Sequence, residues 1–185
     1  TPPVRPLLCV VPCKLYFNSF EELHSEIEKI LISDKLVENW TYPLIQPILI
    51  EEAKKATAHA FSPYSHFSVG AALLLENGKT VIGANQENAA FPSGTCAERS
   101  AIFAAQSQFP DSPVRIIAIA AQNSNGFLPE PVTPCGACRQ VILGIEDRYG
   151  KEIRILLYGT KMTYVIERAS DLLPLSFVDS SMSQS

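Results

Sequence analysis

The sequence predicts an α/β fold, a mixed five-stranded sheet held between helices in a three-layer α-β-α arrangement. Three observations carry this. Residues 114–121 are apolar at every position but Arg115, which suits a strand covered on both faces rather than one with a wet side. Residues 69–75 and 80–84 read as two strands of a hairpin around Asn77-Gly78, a strong two-residue turn. Helical and strand patterns then alternate to the end of the chain, as they do when helices cover both faces of a sheet.

Taken in order, residues 1–18 carry four prolines and read as an irregular or extended arm. Cys9 and Cys13 lie in it with no histidine nearby to complete a ligand set, and read as buried, inert thiols. Ser19 and Glu22 have capping-box spacing, and Leu23, Ile27, Ile30 and Leu31 repeat at helical intervals, which predicts a helix over 19–33. The stretch 34–47 reads as a connector. A second helix is expected over 47–60, with Pro47 in its first turn. These boundaries divide the chain into an N-terminal extension over 1–46, a main domain over 47–178 and a polar tail over 179–185.

After the hairpin, Thr95 is expected to cap a helix whose first turn holds Cys96, Glu98 and Arg99 and which runs to Gln108. The buried strand over 114–121 leads through a polar loop over 122–133 to a helix that opens at Cys135 and stops at Gly150. Strands over 153–158 and 163–166 and a short helix over 169–173 complete the fold.

Composition narrows the function. The chain has 185 residues, of which 46% are hydrophobic and 18% charged, an ordinary balance for a packed domain. Its formal net charge is −4 and its Lys and Arg residues are scattered, so no basic stripe is available to grip a phosphate backbone; nucleic acid is not an expected partner. No apolar run reaches the length of a membrane span. Five cysteines are an odd number, and three of them fall in metal-type positions. That argues for reduced thiols and a cytoplasmic setting rather than a disulfide framework.

The chemistry lies in two stretches. Cys135 and Cys138 are three residues apart in one helical turn, so both sulfurs can face one point, and Cys96 opens the other helix. Helix N-termini favour thiolates through their partial positive charge and free N–H groups. Three protein ligands leave a fourth tetrahedral position for water, the pattern of a catalytic rather than a structural zinc site. Three thiolates around a divalent ion leave one excess negative charge, which Arg99, with Arg139 and the helix ends, would offset. Glu98 is too near Cys96 on the same turn to serve as the fourth ligand, and is placed instead to move a proton.

Thr95-Cys96-Ala97-Glu98-Arg99 and Pro134-Cys135-Gly136-Ala137-Cys138-Arg139-Gln140 resemble the cytidine deaminase family in its form with three cysteine ligands. The resemblance extends over about 60–178, through Pro63-Tyr64-Ser65-His66-Phe67, Asn85-Gln86-Glu87-Asn88-Ala89 and Leu172-Leu173-Pro174-Leu175-Ser176-Phe177. It implies a cytidine-deaminase-like catalytic domain that takes a free nucleoside and hydrolyses cytidine and deoxycytidine to uridine and deoxyuridine, a step of pyrimidine salvage. Cys96, Cys135 and Cys138 would hold Zn2+, and Glu98 would carry the proton from a zinc-held water. Asn85 and Glu87 would meet the ribose hydroxyls, Phe67 would lie against the pyrimidine ring, and Ala97 would contact the substrate. Phe177 would reach a neighbouring subunit's site in a homo-oligomer, a tetramer in preference to a dimer.

Residue by residue, other readings stand beside this one. Asn85 and Glu87 suit a turn and a surface as well as a sugar. Phe67, Phe91 and Phe177 suit a core, and His66 has no vacant ligand position to fill and reads as an exposed or loop-fixing residue. Many family members carry Tyr at the position of Phe91. Deamination of a cytosine-nucleoside drug such as blasticidin S, or a non-catalytic zinc-stabilised module, are the alternative functions.

Overall fold

The structure is a computed structural model and describes residues 9–11 and 42–182. The helix predicted over 19–33 and Cys13 lie outside the described residues.

Among the described residues seven strands form one sheet: β1 (Cys9–Val11), β2 (Ser68–Leu75), β3 (Thr80–Ala84), β4 (Val114–Asn123), β5 (Gly126–Phe127), β6 (Arg154–Tyr158) and β7 (Thr163–Ile166). Their spatial order is β1-β7-β6-β4-β2-β3, with β5 paired to the end of β4. The five predicted strands make up its body. The additions are short: β1 pairs antiparallel with β7, Cys9 opposite Val165, and β5 turns back on β4. The sheet is mixed because β4 and β6 run parallel while the other pairs are antiparallel. A parallel pair needs a long crossover, here supplied by α3 (Gly136–Tyr149).

The strands sort their side chains by the two-residue period. From β4, Ile117 and Ile119 enter one core with Ala101, Ile102, Ile142 and Leu143, while Ile116, Ala118 and Ala120 enter the other with Leu49, Ile50 and Ala53. The first core lies under α2 (Ala97–Gln108) and α3, the second under α1 (Tyr42–Ala56). The three layers expected from the apolar run at 114–121 are therefore present. Two glycines let the helices close on the sheet. A Cβ on Gly70 would stand 2.1 Å from the Ala53 carbonyl oxygen of α1, and one on Gly83 would stand 2.4 Å from the Ala101 nitrogen of α2.

Helix α1 differs from expectation. It begins at Tyr42 rather than at Pro47, and ends at Ala56 before a 3-10 turn, Thr57–His59. Pro47 sits inside it but close to its start. A proline there forfeits the one i→i−4 bond that its N–H would give to the carbonyl of Pro43 in the first turn. Thr95 is not the cap of α2. Its backbone pairs in both directions with Gln86, N to O at 2.9 Å each way, and Cys96 takes the N-cap position in extended conformation at φ −77° and ψ 158°. Cys135 does the same for α3 at φ −66° and ψ 166°, and Gly150 ends that helix in the left-handed conformation at φ 60°.

Candidate metal centre and pocket

Two helix N-caps meet at the site. An N-cap side chain usually accepts a bond from the first turn of its own helix. Neither Cys96 nor Cys135 does so. Their sulfurs turn toward each other instead, 3.8 Å apart, and with the Cys138 sulfur they lie within 4.8 Å of one another. Cys138 is buried at the back of the cluster while Cys96 is half-buried and Cys135 exposed. Two bonds of about 2.3 Å at a tetrahedral angle separate sulfurs by roughly 3.8 Å, so this donor set fits zinc in size as well as in softness.

The electrostatics fit a cation too. Hydrogen bonding from Cys138, reinforced by the Arg99 guanidinium, pulls the Cys96 thiol down to about 5. The same contact, with burial behind it, pushes the Cys138 thiol up. Thiolate charge thus gathers on Cys96 with Arg99 beside it, and the hydrogen bond to Cys96 holds Arg99 more firmly in its charged form. Arg99 therefore stands beside the thiolate charge. Arg139 bonds to oxygen instead. Its Nε donates to the Pro134 carbonyl at 2.9 Å, and its two terminal nitrogens donate to the Leu172 carbonyl at 3.2 Å and to Thr133 Oγ1 at 3.3 Å. It ties the loop before Cys135 to the C-terminal segment, and these bonds keep its charge but direct it at oxygen rather than sulfur.

Glu98 is 5% exposed, a buried carboxyl. Burial pushes its pKa up, and the neighbouring Cys96 charge pushes the same way. A carboxyl whose two protonation states are brought closer in energy is suited to carrying a proton.

Cys96, Cys135 and Glu98 face a cavity of about 560 Å³, whose other walls include Phe67, Val69, Asn85, Glu87, Phe91 and Ile119. Of the residues singled out for substrate contact, Phe67, Asn85 and Glu87 are brought to this cavity. Ala97 and Phe177 are not among its lining residues. Ala97 is fully buried against the sheet, and Phe177 is 61% exposed, its carbonyl accepting from Gln140 Nε2 at 2.7 Å. Phe91 stands at the mouth, 73% exposed, with its ring edge-on to Tyr64 at 5.5 Å. His66 is an exposed loop residue in the left-handed region at φ 54°.

Backbone bridges hold the walls together. Phe61 pairs with Gln86 and Gln86 with Thr95, so the strand end carrying Asn85 and Glu87 lies beside the approach to Cys96. The Asn85 amide is committed on both sides: its nitrogen donates to the Phe67 carbonyl at 2.9 Å and its oxygen accepts from the Val69 N–H at 2.7 Å. Glu87 accepts from the Tyr64 N–H at 2.8 Å, the Ser65 N–H at 3.2 Å and the Ser65 hydroxyl. The Ser65 hydroxyl, first among these contacts, holds the Glu87 carboxyl below its ordinary range. Sequence reasoning missed Ser65. It falls in a stretch whose motif was noted, but nothing in the spacing links it to a carboxylate 22 residues away.

Comparison with known proteins agrees with this geometry. A family model described as the cytidine and deoxycytidylate deaminase zinc-binding region matches residues 46–149. A cytidine deaminase of Halalkalibacterium halodurans is 46% identical over 95 residues, which span 51% of this chain and 67% of that protein. One of Mycobacterium tuberculosis is 36% identical over 125 residues, 68% of this chain and 84% of that one. The crystal structure of a cytidine deaminase from Burkholderia pseudomallei superposes with a TM-score of 0.62 at 37% identity, covering 71% of this chain and 98% of its own.

Proposed function

The chain belongs to the cytidine and deoxycytidylate deaminase family, and from that footing we propose that it hydrolyses cytidine and deoxycytidine to uridine and deoxyuridine with release of ammonia. The observation that carries the reading is the position of Glu98, buried on the turn that follows Cys96 and facing the same cavity as the three-sulfur cluster.

Cys96, Cys135 and Cys138 would hold zinc, since their sulfurs lie within 4.8 Å of one another. When bound, zinc supplies a Lewis acid that brings the pKa of a water to about 7 and so provides a nucleophile near neutrality. Glu98 accepts a proton from the attacking water and delivers it to ring N3, then takes the remaining proton of the new C4 hydroxyl and passes it to the amine, so that the C4–N bond breaks as the C4 carbonyl forms. Water and cytidine are thereby converted to uridine and ammonia with all protons accounted for. Burial suits Glu98 to this task, because it raises the pKa of a carboxyl held away from solvent.

Phe67 supplies an apolar wall for the pyrimidine, and Asn85 and Glu87 offer polar groups to the sugar hydroxyls. Ala97 contributes through its place at the start of α2 behind the cavity. Both charged residues that line the cavity are acidic, Glu87 and Glu98, which suits an uncharged nucleoside. The catalytic unit is 47–178 together with the start of α1 from Tyr42, and the extension before it adds β1 to the edge of the sheet. Exposed Phe61, Phe91, Phe103, Leu175 and Phe177 are surface that a homotetramer would cover, with Phe177 reaching a neighbour's site. Reactive thiols are kept as thiols in a reducing cytoplasm. Among the described residues no helix is long and apolar enough to cross a membrane.

Zinc content and turnover, measured on one preparation against cytidine, deoxycytidine and blasticidin S, test the substrate. The expected result is bound zinc with rapid loss of the cytidine and deoxycytidine absorbance. Turnover of blasticidin S alone would reassign the substrate, and zinc without turnover of any of them would leave a structural module.

A further inference from the structure

One hydroxyl ties two walls of the cavity together. The Ser65 hydroxyl donates to Glu87 Oε1, and the same oxygen accepts from the Phe67 N–H at 3.1 Å. The other polar group of that residue, the Phe67 carbonyl, accepts from the Asn85 amide at 2.9 Å. Phe67 precedes β2, which begins at Ser68, so side chains rather than a neighbouring strand fix its backbone. His66 beside it adopts a conformation at φ 54° that a residue with a Cβ rarely enters unless its surroundings hold it there. Its N–H donates to the Ser62 carbonyl at 3.0 Å, which closes the turn on itself.

Glu87 is equally constrained. A carboxylate offers about four lone-pair sites. The Tyr64 N–H, the Ser65 N–H and the Ser65 hydroxyl take three of them, all from the same turn. What remains for a ligand is directional, and its direction is set by that turn.

We propose that Ser65 is a positioning residue, whose hydroxyl fixes the Glu87 carboxylate relative to the Phe67 ring so that sugar and base are met by one rigid unit. This inference rests on the reading that Glu87 meets the sugar hydroxyls. Ser65 itself need not touch the substrate. Its removal leaves the metal ligands and Glu98 in place, and acts through the orientation of two other residues.

The test uses the zinc-loaded full chain with two substrates, cytidine and dideoxycytidine, the second lacking the sugar hydroxyls in question. Ser65→Ala lowers kcat/KM for cytidine about tenfold, chiefly through KM, the size expected for a lost hydrogen bond to a charged group in a partly wet site. For dideoxycytidine the loss stays within about threefold, because only the Phe67 contact is affected. On a Glu87→Ala background, Ser65→Ala adds no more than about threefold for cytidine, since coupled residues do not lose their effect twice. Ser65→Thr keeps the hydroxyl and stays closer to the parent than Ser65→Ala, with zinc content unchanged throughout. Equal losses on both substrates, or a full additional loss on the Glu87→Ala background, overturn the proposal. Equal losses from Glu87→Ala alone on the two substrates instead overturn the sugar-contact reading, so the two failures are distinguishable.

Discussion

The sulfurs of Cys96 and Cys135 lie 3.8 Å apart although the residues are 39 positions apart in the chain. Both are helix N-caps, so one local rule places each sulfur at the positive end of a helix, and the fold brings those two ends together. The cluster therefore concentrates negative charge, and the Arg99 guanidinium lies beside it.

Arg99→Gln keeps a long polar side chain but removes the charge beside the thiolates. Zinc affinity, measured by competition with a chelator of known strength, is expected to fall about 10–100-fold, the usual cost of losing a supporting contact around a metal site. Unchanged affinity would mean that the helix ends alone balance the sulfurs.

Arg139→Ala acts elsewhere. It frees the Pro134 carbonyl, Thr133 and the Leu172 carbonyl from their shared partner. Losing this partly buried cluster of bonds is expected to cost about 1–3 kcal/mol, and to lower Tm by several degrees for a chain of this size. The rise in chelator sensitivity should be smaller than for Arg99→Gln, because Arg139 is directed at carbonyls rather than at sulfur. A larger rise would restore Arg139 to the role of counter-charge.

Glu87 gives a pH dependence whose sign is fixed. Its carboxyl is held below the ordinary value of 4.5, first by the Ser65 hydroxyl and then by the N–H groups of Tyr64 and Ser65. A carboxyl with a depressed folded-state pKa contributes stability above its unfolded pKa, and loses that contribution as pH falls through the folded value. The Tm difference between the parent and Glu87→Gln is thus expected to be present near pH 7 and to shrink only below about pH 4.5. A difference that grew on acidification would reverse the assignment.

Much of this was legible in the sequence because it follows from local rules. The two-sided burial of 114–121, the Asn77-Gly78 hairpin and the Cys135/Cys138 spacing each depend on a few neighbouring residues, and each appears in the structure. The rest was set by contacts across the chain. Thr95 has the chemistry of a cap, but its backbone is claimed by Gln86, and the cap passes to Cys96. Arg139 lies beside a metal ligand in sequence, yet the Leu172 carbonyl, 33 residues on, and the loop at Thr133 and Pro134 offer it acceptors. Pro47 suggested a helix start because proline usually marks one, whereas Tyr42 to Gln46 were already helical. The strand at Cys9–Val11 is three residues long and gains its order from β7, not from any pattern of its own.

The central claim is that Glu98 moves protons at a zinc site built from Cys96, Cys135 and Cys138. Glu98→Gln keeps the size and polarity of the side chain and removes its basicity, so zinc content and cytidine turnover measured on the same sample separate the two roles. One zinc is expected to stay bound per chain while turnover falls by at least about a hundredfold, the usual share of general acid–base catalysis. Turnover near that of the parent, or loss of zinc together with activity, would contradict the claim.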